Sequence, residues 1–217
     1  MIEIFAILSQ LLIFLLIFSF PLNPIILNKI ILPKSYYFGI FDTLLINSVV
    51  ILNFLIICSF FNFELKYIFY ILIILSTFIN IFNYKKWAKY LVKEKINIIF
   101  FLVLCLCIFF SLANNLKFEW DGIAHWFFKT KIFYDGHGIE NIKNLPAPMY
   151  PHLGTYIWAF FWKNSLIEYE YLGRLIYIFI YVLSIFSISS SIINHKNFNT
   201  LFLLPIILFL TILTYDE

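Results

Sequence analysis

Runs of about 20 consecutive apolar residues decide what this chain can fold into, because that is the length of helix needed to cross a bilayer. Five such runs stand out: Ile2–Phe20, Phe38–Phe61, Leu65–Phe82, Ile96–Ala113 and Leu172–Ile193. A sixth, Leu201–Leu213, is shorter and carries Pro205 near its start. A membrane helix tolerates such a proline where neighbours satisfy the freed carbonyl. The expected fold class is therefore all-α, a polytopic transmembrane helical bundle of about six membrane helices. No Gly/Ser-rich or Pro-rich linker and no internal repeat divides the chain, so residues 1–217 read as one membrane domain.

Composition excludes the soluble alternative. The chain is 63% hydrophobic and only 12% charged, against about 25% charged in ordinary soluble domains. Folded in water, it would expose apolar patches that soluble chains avoid. A formal net charge of +3, not gathered into one stripe, gives no footprint for a nucleic-acid partner. Cys58, Cys105 and Cys107 all lie inside apolar runs, which argues against a disulfide framework or a zinc site. The first run begins with Glu3 rather than a basic stretch and lacks a small-residue cleavage site. It reads as a retained membrane helix, not a signal peptide.

Lysines in short loops set the expected orientation. Lys29 and Lys34 lie in one loop, Lys85, Lys86, Lys89, Lys93 and Lys95 in the stretch Asn83–Lys95, and Lys196 in the connection Asn194–Asn199. With alternating helices these three share a side, the cytoplasmic one. The N-terminus, the turn Asn62–Glu64 and the segment Asn114–Tyr171 then lie outside. Within that outer loop, Gly154–Phe161 is apolar but too short to span, so an interfacial or re-entrant helix is expected.

The 114–171 loop holds most of the chain's chemical diversity, including three of the four histidines and four of the five tryptophans. The membrane runs hold almost none; Asp42 and Arg174 sit near helix ends. Transporters and proton pumps place charge at mid-membrane depth, and its absence argues against that class. The stretch Glu119–Tyr134 has amphipathic spacing. Ile123, Trp126, Phe127, Thr130, Phe133 and Tyr134 would share an aromatic face, with Asp121, His125 and Lys129 opposite at i, i+4 and i+8. Asp121 is also a fair cap or first-turn residue. The triplet reads either as a carboxylate, imidazole and ammonium aimed at a substrate, or as the solvated face of an interfacial helix. Glu170 and Arg174, four apart, read either as site residues or as a local ion pair. His125, His137, His152, Asp121, Asp135 and Glu140 have no compact metal-ligand spacing, so no cofactor is expected and a divalent metal is not indicated.

Several residues in this order resemble a known pattern. Trp120-Asp121, then Trp126, Lys129, Lys131 and Tyr134, then Tyr150-Pro151-x-Leu153, then Glu170-x-x-x-Arg174 is similar to the GT-C membrane glycosyltransferases. These include protein O-mannosyltransferases and the aminoarabinose transferases of lipid A. The resemblance covers roughly Ile96–Glu217. It departs from the pattern at Gly122, where a second acid is common, and at His152, which interrupts a Tyr-Pro-Pro-Leu form.

The resemblance implies sugar transfer from a polyprenyl-phosphate donor to a hydroxyl of a lipid, glycan or protein acceptor, at the outer face of a bacterial inner membrane. Asp121 corresponds to the catalytic base. Lys129 and Lys131 correspond to basic residues of the first outer helix, and Arg174 to the arginine entering the next membrane helix. With His125 and Glu170 they form the expected substrate-binding set. Displacement in one step would invert the anomeric carbon, with Lys129 and Arg174 near the leaving phosphate. The resemblance also implies further membrane helices, so the chain reads as the N-terminal part of a longer protein. The competing expectation is a non-enzymatic membrane protein, such as a polysaccharide export or flippase component or a scaffold subunit.

Overall fold

A computed structural model describes residues 2–30, 38–116, 122–145, 148–149 and 151–196 of the chain. The predicted sixth helix Leu201–Leu213, Lys34 and Asp121 lie outside the described residues. Those described are all-helical, with no strand. The order is α1 (Ile2–Phe18), α2 (Pro24–Ile30), α3 (Ile40–Phe60), α4 (Leu65–Lys93) and α5 (Lys95–Asn114). A π-helical segment (Gly122–Phe127), α6 (Phe128–Tyr134), a 3₁₀ segment (Ile139–Asn144), α7 (Leu153–Lys163) and α8 (Glu170–Lys196) follow. Four helical stretches are long and apolar enough to cross a membrane: Ile40–Phe60, Leu65–Ala88, Lys95–Asn114 and Glu170–Ser190. The chain is built as an integral membrane protein. α1, with 17 residues, is apolar but shorter.

The expected loop Asn83–Lys95 is a correction. α4 runs on without a break through the lysines, because nothing between Leu65 and Lys93 is glycine or proline and lysine is a good helix former. Its 29 residues reach roughly 43 Å, beyond a hydrocarbon core of about 30 Å. The chain turns only at Glu94, where the backbone leaves helical values.

α8 is the hub, packed against α1, α3, α5 and α7. Phenylalanines carry the contact. Phe179 meets Phe14, Phe18 and Phe101 at ring centroid distances of 5.3, 5.7 and 5.6 Å, and Phe186 meets Phe41 and Phe101 at 5.0 and 5.4 Å. Inside a bilayer, shape-matched packing replaces the hydrophobic effect as the driving force between helices. Edge and tilted ring pairs add about 0.5–1.5 kcal/mol each beyond area.

Polar side chains tie one end of the bundle together. Asp42 accepts the Gly39 N–H at 3.0 Å, closing the first turn of α3, and the Ser187 hydroxyl of α8 donates to its other oxygen. Glu94, at the α4–α5 corner, accepts the Ile40 N–H. Its carboxyl is pushed up by burial, reinforced by the Asp42 charge and opposed by that N–H and by Lys93. Asn47 donates to the carbonyls of Phe18 and Leu22, both at 2.9 Å.

At the opposite end the 122–170 segment folds back over the bundle. Asn62 donates to Glu140 at 3.0 Å, Lys66 pairs with Glu168 at 3.7 Å, and Asn164 donates to the Leu65 carbonyl at 3.3 Å.

α7 is the expected short helix, at 11 residues too short to cross. Its place differs from that of a helix lying on a membrane surface. Thr155 through Trp162 are all buried, with Ala159, Phe160 and Phe161 fully so. Phe161 packs on Phe14 of α1 at 5.0 Å, Phe160 on Phe69 of α4 at 6.1 Å, and Gln10 donates to the Phe161 carbonyl. α6 packs against α7 as well, as do α3 and α8. The tryptophans of α7 are core residues rather than interfacial anchors. The Trp158 and Trp162 indoles donate to the carbonyls of Glu170 and Glu168.

Candidate functional site

The mouth of the bundle lies where the start of α1, the end of α5 and the start of α8 meet. Ile2, Glu3, Leu116, Tyr169, Glu170 and Tyr171 line a cavity of about 690 Å³ there. Leu116 is the last described residue before 117–121, the stretch that contains Asp121. Tyr169 and Tyr171 stack at 5.9 Å. Tyr171 is buried, and its hydroxyl has no hydrogen-bond partner among the described residues.

Glu170 and Arg174 form the ion pair that their spacing allows. Arg174 Nε lies 3.0 Å from Glu170 Oε1, and an Nη donates to Oε2 at 3.1 Å. Both side chains are mostly buried, at 14% and 20% exposure. The guanidinium also lies over the Trp158 ring at 5.8 Å. Phe127 of the π segment packs against Trp158 at 6.3 Å and Trp162 at 6.1 Å. The segment following Asp121 is thereby held beside the Glu170–Arg174 pair.

Lys129 overturns the expected face of the 122–134 helix. It is fully buried, as is Thr130, and Phe133 is 2% exposed, while Ile123 and Phe128 point out at 47% and 48%. The cause is register. Residues 122–127 are π-helical, with i→i+5 bonds and a wider turn, so a 3.6-residue period cannot be carried through them. His125 and Lys129 therefore do not share a solvated face. His125 is half-buried. Burial lowers the pKa of Lys129, whose ammonium lies 5.7 Å from the Trp126 ring centroid.

His152 is held below its ordinary pKa, first by burial and then by the Lys129 charge. Phe133 packs between His152 at 6.2 Å and Tyr156 at 5.1 Å. Tyr156 is 3% exposed, its pKa is pushed up chiefly by burial, and its hydroxyl has no partner among the described residues.

Lys131 does not join Lys129. It pairs with Asp135 at 2.8 Å on the exposed side of α6 and lies 4.8 Å over the Tyr134 ring. Tyr134 is the centre of a clamp. Trp162 stacks on it at 4.0 Å, Lys163 lies over it at 4.3 Å, and its hydroxyl donates to Glu168. Burial, helped by the Glu168 hydrogen bond and the charges of Glu168 and Asp135, raises the Tyr134 pKa to about 12. The same bond holds Glu168 below the usual carboxylate range against the effect of burial, helped by Lys163 and Lys66.

Among the described residues no three His, Cys, Asp or Glu side chains gather as a metal site. Glu3, Tyr169 and Tyr171 escaped sequence reading, because they join the mouth only when α1 and α8 pack side by side. No protein-family model, curated protein or solved structure matches this chain.

Proposed function

We propose that the chain is a membrane glycosyltransferase module that moves a sugar from a polyprenyl-phosphate donor to an acceptor hydroxyl at the outer membrane face. The observation that carries this reading is the chemistry of the mouth. Two carboxylates, Glu3 and Glu170, two stacked tyrosines and a buried Tyr171 hydroxyl with no partner among the described residues line one cavity with the apolar Ile2 and Leu116. Carboxylates and hydroxyls suit a polyhydroxylated ligand, aromatic faces suit its C–H surfaces, and the apolar side suits a lipid tail. Asp121 follows Leu116 by five residues and is assigned the base that takes the acceptor proton. Arg174 is assigned to the leaving lipid phosphate, for which it would have to share its charge with Glu170. Confinement of donor and acceptor at the bilayer surface supplies proximity.

A non-catalytic membrane component is the competing reading, and the local pairing of Lys131 and Arg174 with their own helix neighbours favours it. The test is release of polyprenyl phosphate from a panel of polyprenyl-phosphate hexoses by the chain in nanodiscs. Wild type should release it, and Asp121→Asn should lower turnover about 10²–10⁴-fold while donor binding by native mass spectrometry persists. No release and no donor binding across the panel would overturn the reading.

A further inference from the structure

A second cavity lies at the lysine-rich end of the bundle, away from the mouth. It is a cleft of about 500 Å³ between the ends of α1, α3, α4 and α5, within the usual range of about 300–1,000 Å³ for small-molecule sites. Its lining is almost wholly apolar. From α4 come Tyr84, Trp87, Ala88 and Leu91, which share one helix face at i, i+3, i+4 and i+7. From α5 come Ile98, Phe101 and Leu102. Among the described residues, the only polar side chains in the lining outside the aromatic ones are those of Ser19 and Asn80, and Asn80 donates to Ser19. Such a surface offers little to a polar ligand and suits an alkyl chain.

The rim differs. Lys95 lies on the cleft-facing side of α5, three residues before Ile98 and seven before Leu102. Lys95 is exposed and, among the described residues, has neither an ion-pair nor a hydrogen-bond partner. Lys85 is exposed too, and its ammonium lies 5.9 Å over the ring of Tyr84, itself a lining residue. Two cations with no ion-pair partner among the described residues, at the rim of an alkyl-lined cleft, are complementary to one kind of occupant.

We propose that this cleft holds an acyl chain of an anionic phospholipid, with the phosphate between Lys95 and Lys85. The site is independent of the glycosyltransferase reading, since it lies at the other end of the helices. It gives the extension of α4 a role: the lysines belong to the headgroup layer, and Trp87 and Tyr84 sit at its boundary.

Trp87 provides the probe. The full chain is reconstituted in phosphatidylcholine vesicles containing a rising fraction of chain-brominated phosphatidylglycerol, or of chain-brominated phosphatidylcholine. Quenching of Trp87 is read as the difference between wild type and Trp87→Phe. Brominated phosphatidylglycerol should reach half-quenching at about a tenfold lower mole fraction than brominated phosphatidylcholine. Lys85→Gln with Lys95→Gln, both exposed changes, should merge the two curves. Ala88→Phe, an exposed lining position, should lower the maximal quenching by plugging the cleft. Coincident curves in wild type would mean an unselective lipid annulus and overturn the proposal. Absence of quenching by either lipid would mean that protein covers the cleft, which also overturns it. A preference that survives the double lysine change would refute the headgroup assignment.

Discussion

Burial works against the charge on Lys129, and that charge works against His152. The consequence has a sign. His152 is depressed in the folded protein, so its neutral form contributes stability that is present above its ordinary pKa of about 6.5 and is lost as pH falls through the lower folded value. Removing the Lys129 charge should relieve the second of the two causes. In Lys129→Met, which keeps the side-chain length, the His152 pKa should move back toward 6.5 without reaching it, because burial remains the larger cause. Histidine Cε1–H chemical shifts followed against pH would show this, and an unmoved His152 would mean that the two side chains do not interact. The Glu170–Arg174 pair was legible in the sequence, since i,i+4 neighbours meet whatever the helix packs against. The burial of Lys129 was not, because it depends on six π-helical residues upstream that no periodicity announces.

At the scale of elements, α7 is held by an unusually close approach to α8. A Cβ added at Gly173 would lie 2.5 Å from the Trp158 carbonyl oxygen and 2.9 Å from the Trp162 Cβ. Backbone cannot give way there as the end of a flexible side chain can. Gly173→Ala should therefore push α7 off α8 and loosen the Trp158 contacts with Arg174 and Glu170. Overpacking of this kind costs about 1–3 kcal/mol. Thermal unfolding in detergent, read by tryptophan fluorescence, should fall by several degrees. An unchanged transition would show that the two helices are not in this contact. The existence and length of α7 were readable from its apolar run. Its burial was not, because its partners come from α1, α4 and α3, far away in sequence, Phe14 and Phe69 among them. On paper, Trp158 and Trp162 look like interfacial anchors.

For the whole molecule, the alternation of helices gathers the chemistry into two ends. Glu3, Leu116, the 122–145 segment, α7 and Glu170 meet at one, and Lys85, Lys86, Lys95 and the Asp42–Ser187 contact lie toward the other. The apolar runs made this division legible, since successive long helices that alternate in direction place alternate connections at the same end, although four rather than five of the described helices are long enough to span. The sequence did not show that the lysine-rich connection is helix. Helix and loop serve the positive-inside rule equally, as only the position of the charge near the membrane edge matters.

The orientation that follows can be tested with exposed positions at the two ends. Lys143 and Lys86 are both exposed. Cys58 and Cys105 are buried and Cys107 lies on an apolar span, and all three can be replaced by alanine as background. In intact cells Lys143→Cys should react with an impermeant thiol reagent and Lys86→Cys should not, while both should react once the membrane is permeabilised. That outcome would put the lysines near Lys86 on the cytoplasmic side and leave the mouth facing out, where a lipid-linked sugar donor would meet it. The reverse labelling would place the mouth in the cytoplasm and remove the physical basis for transfer at the outer face.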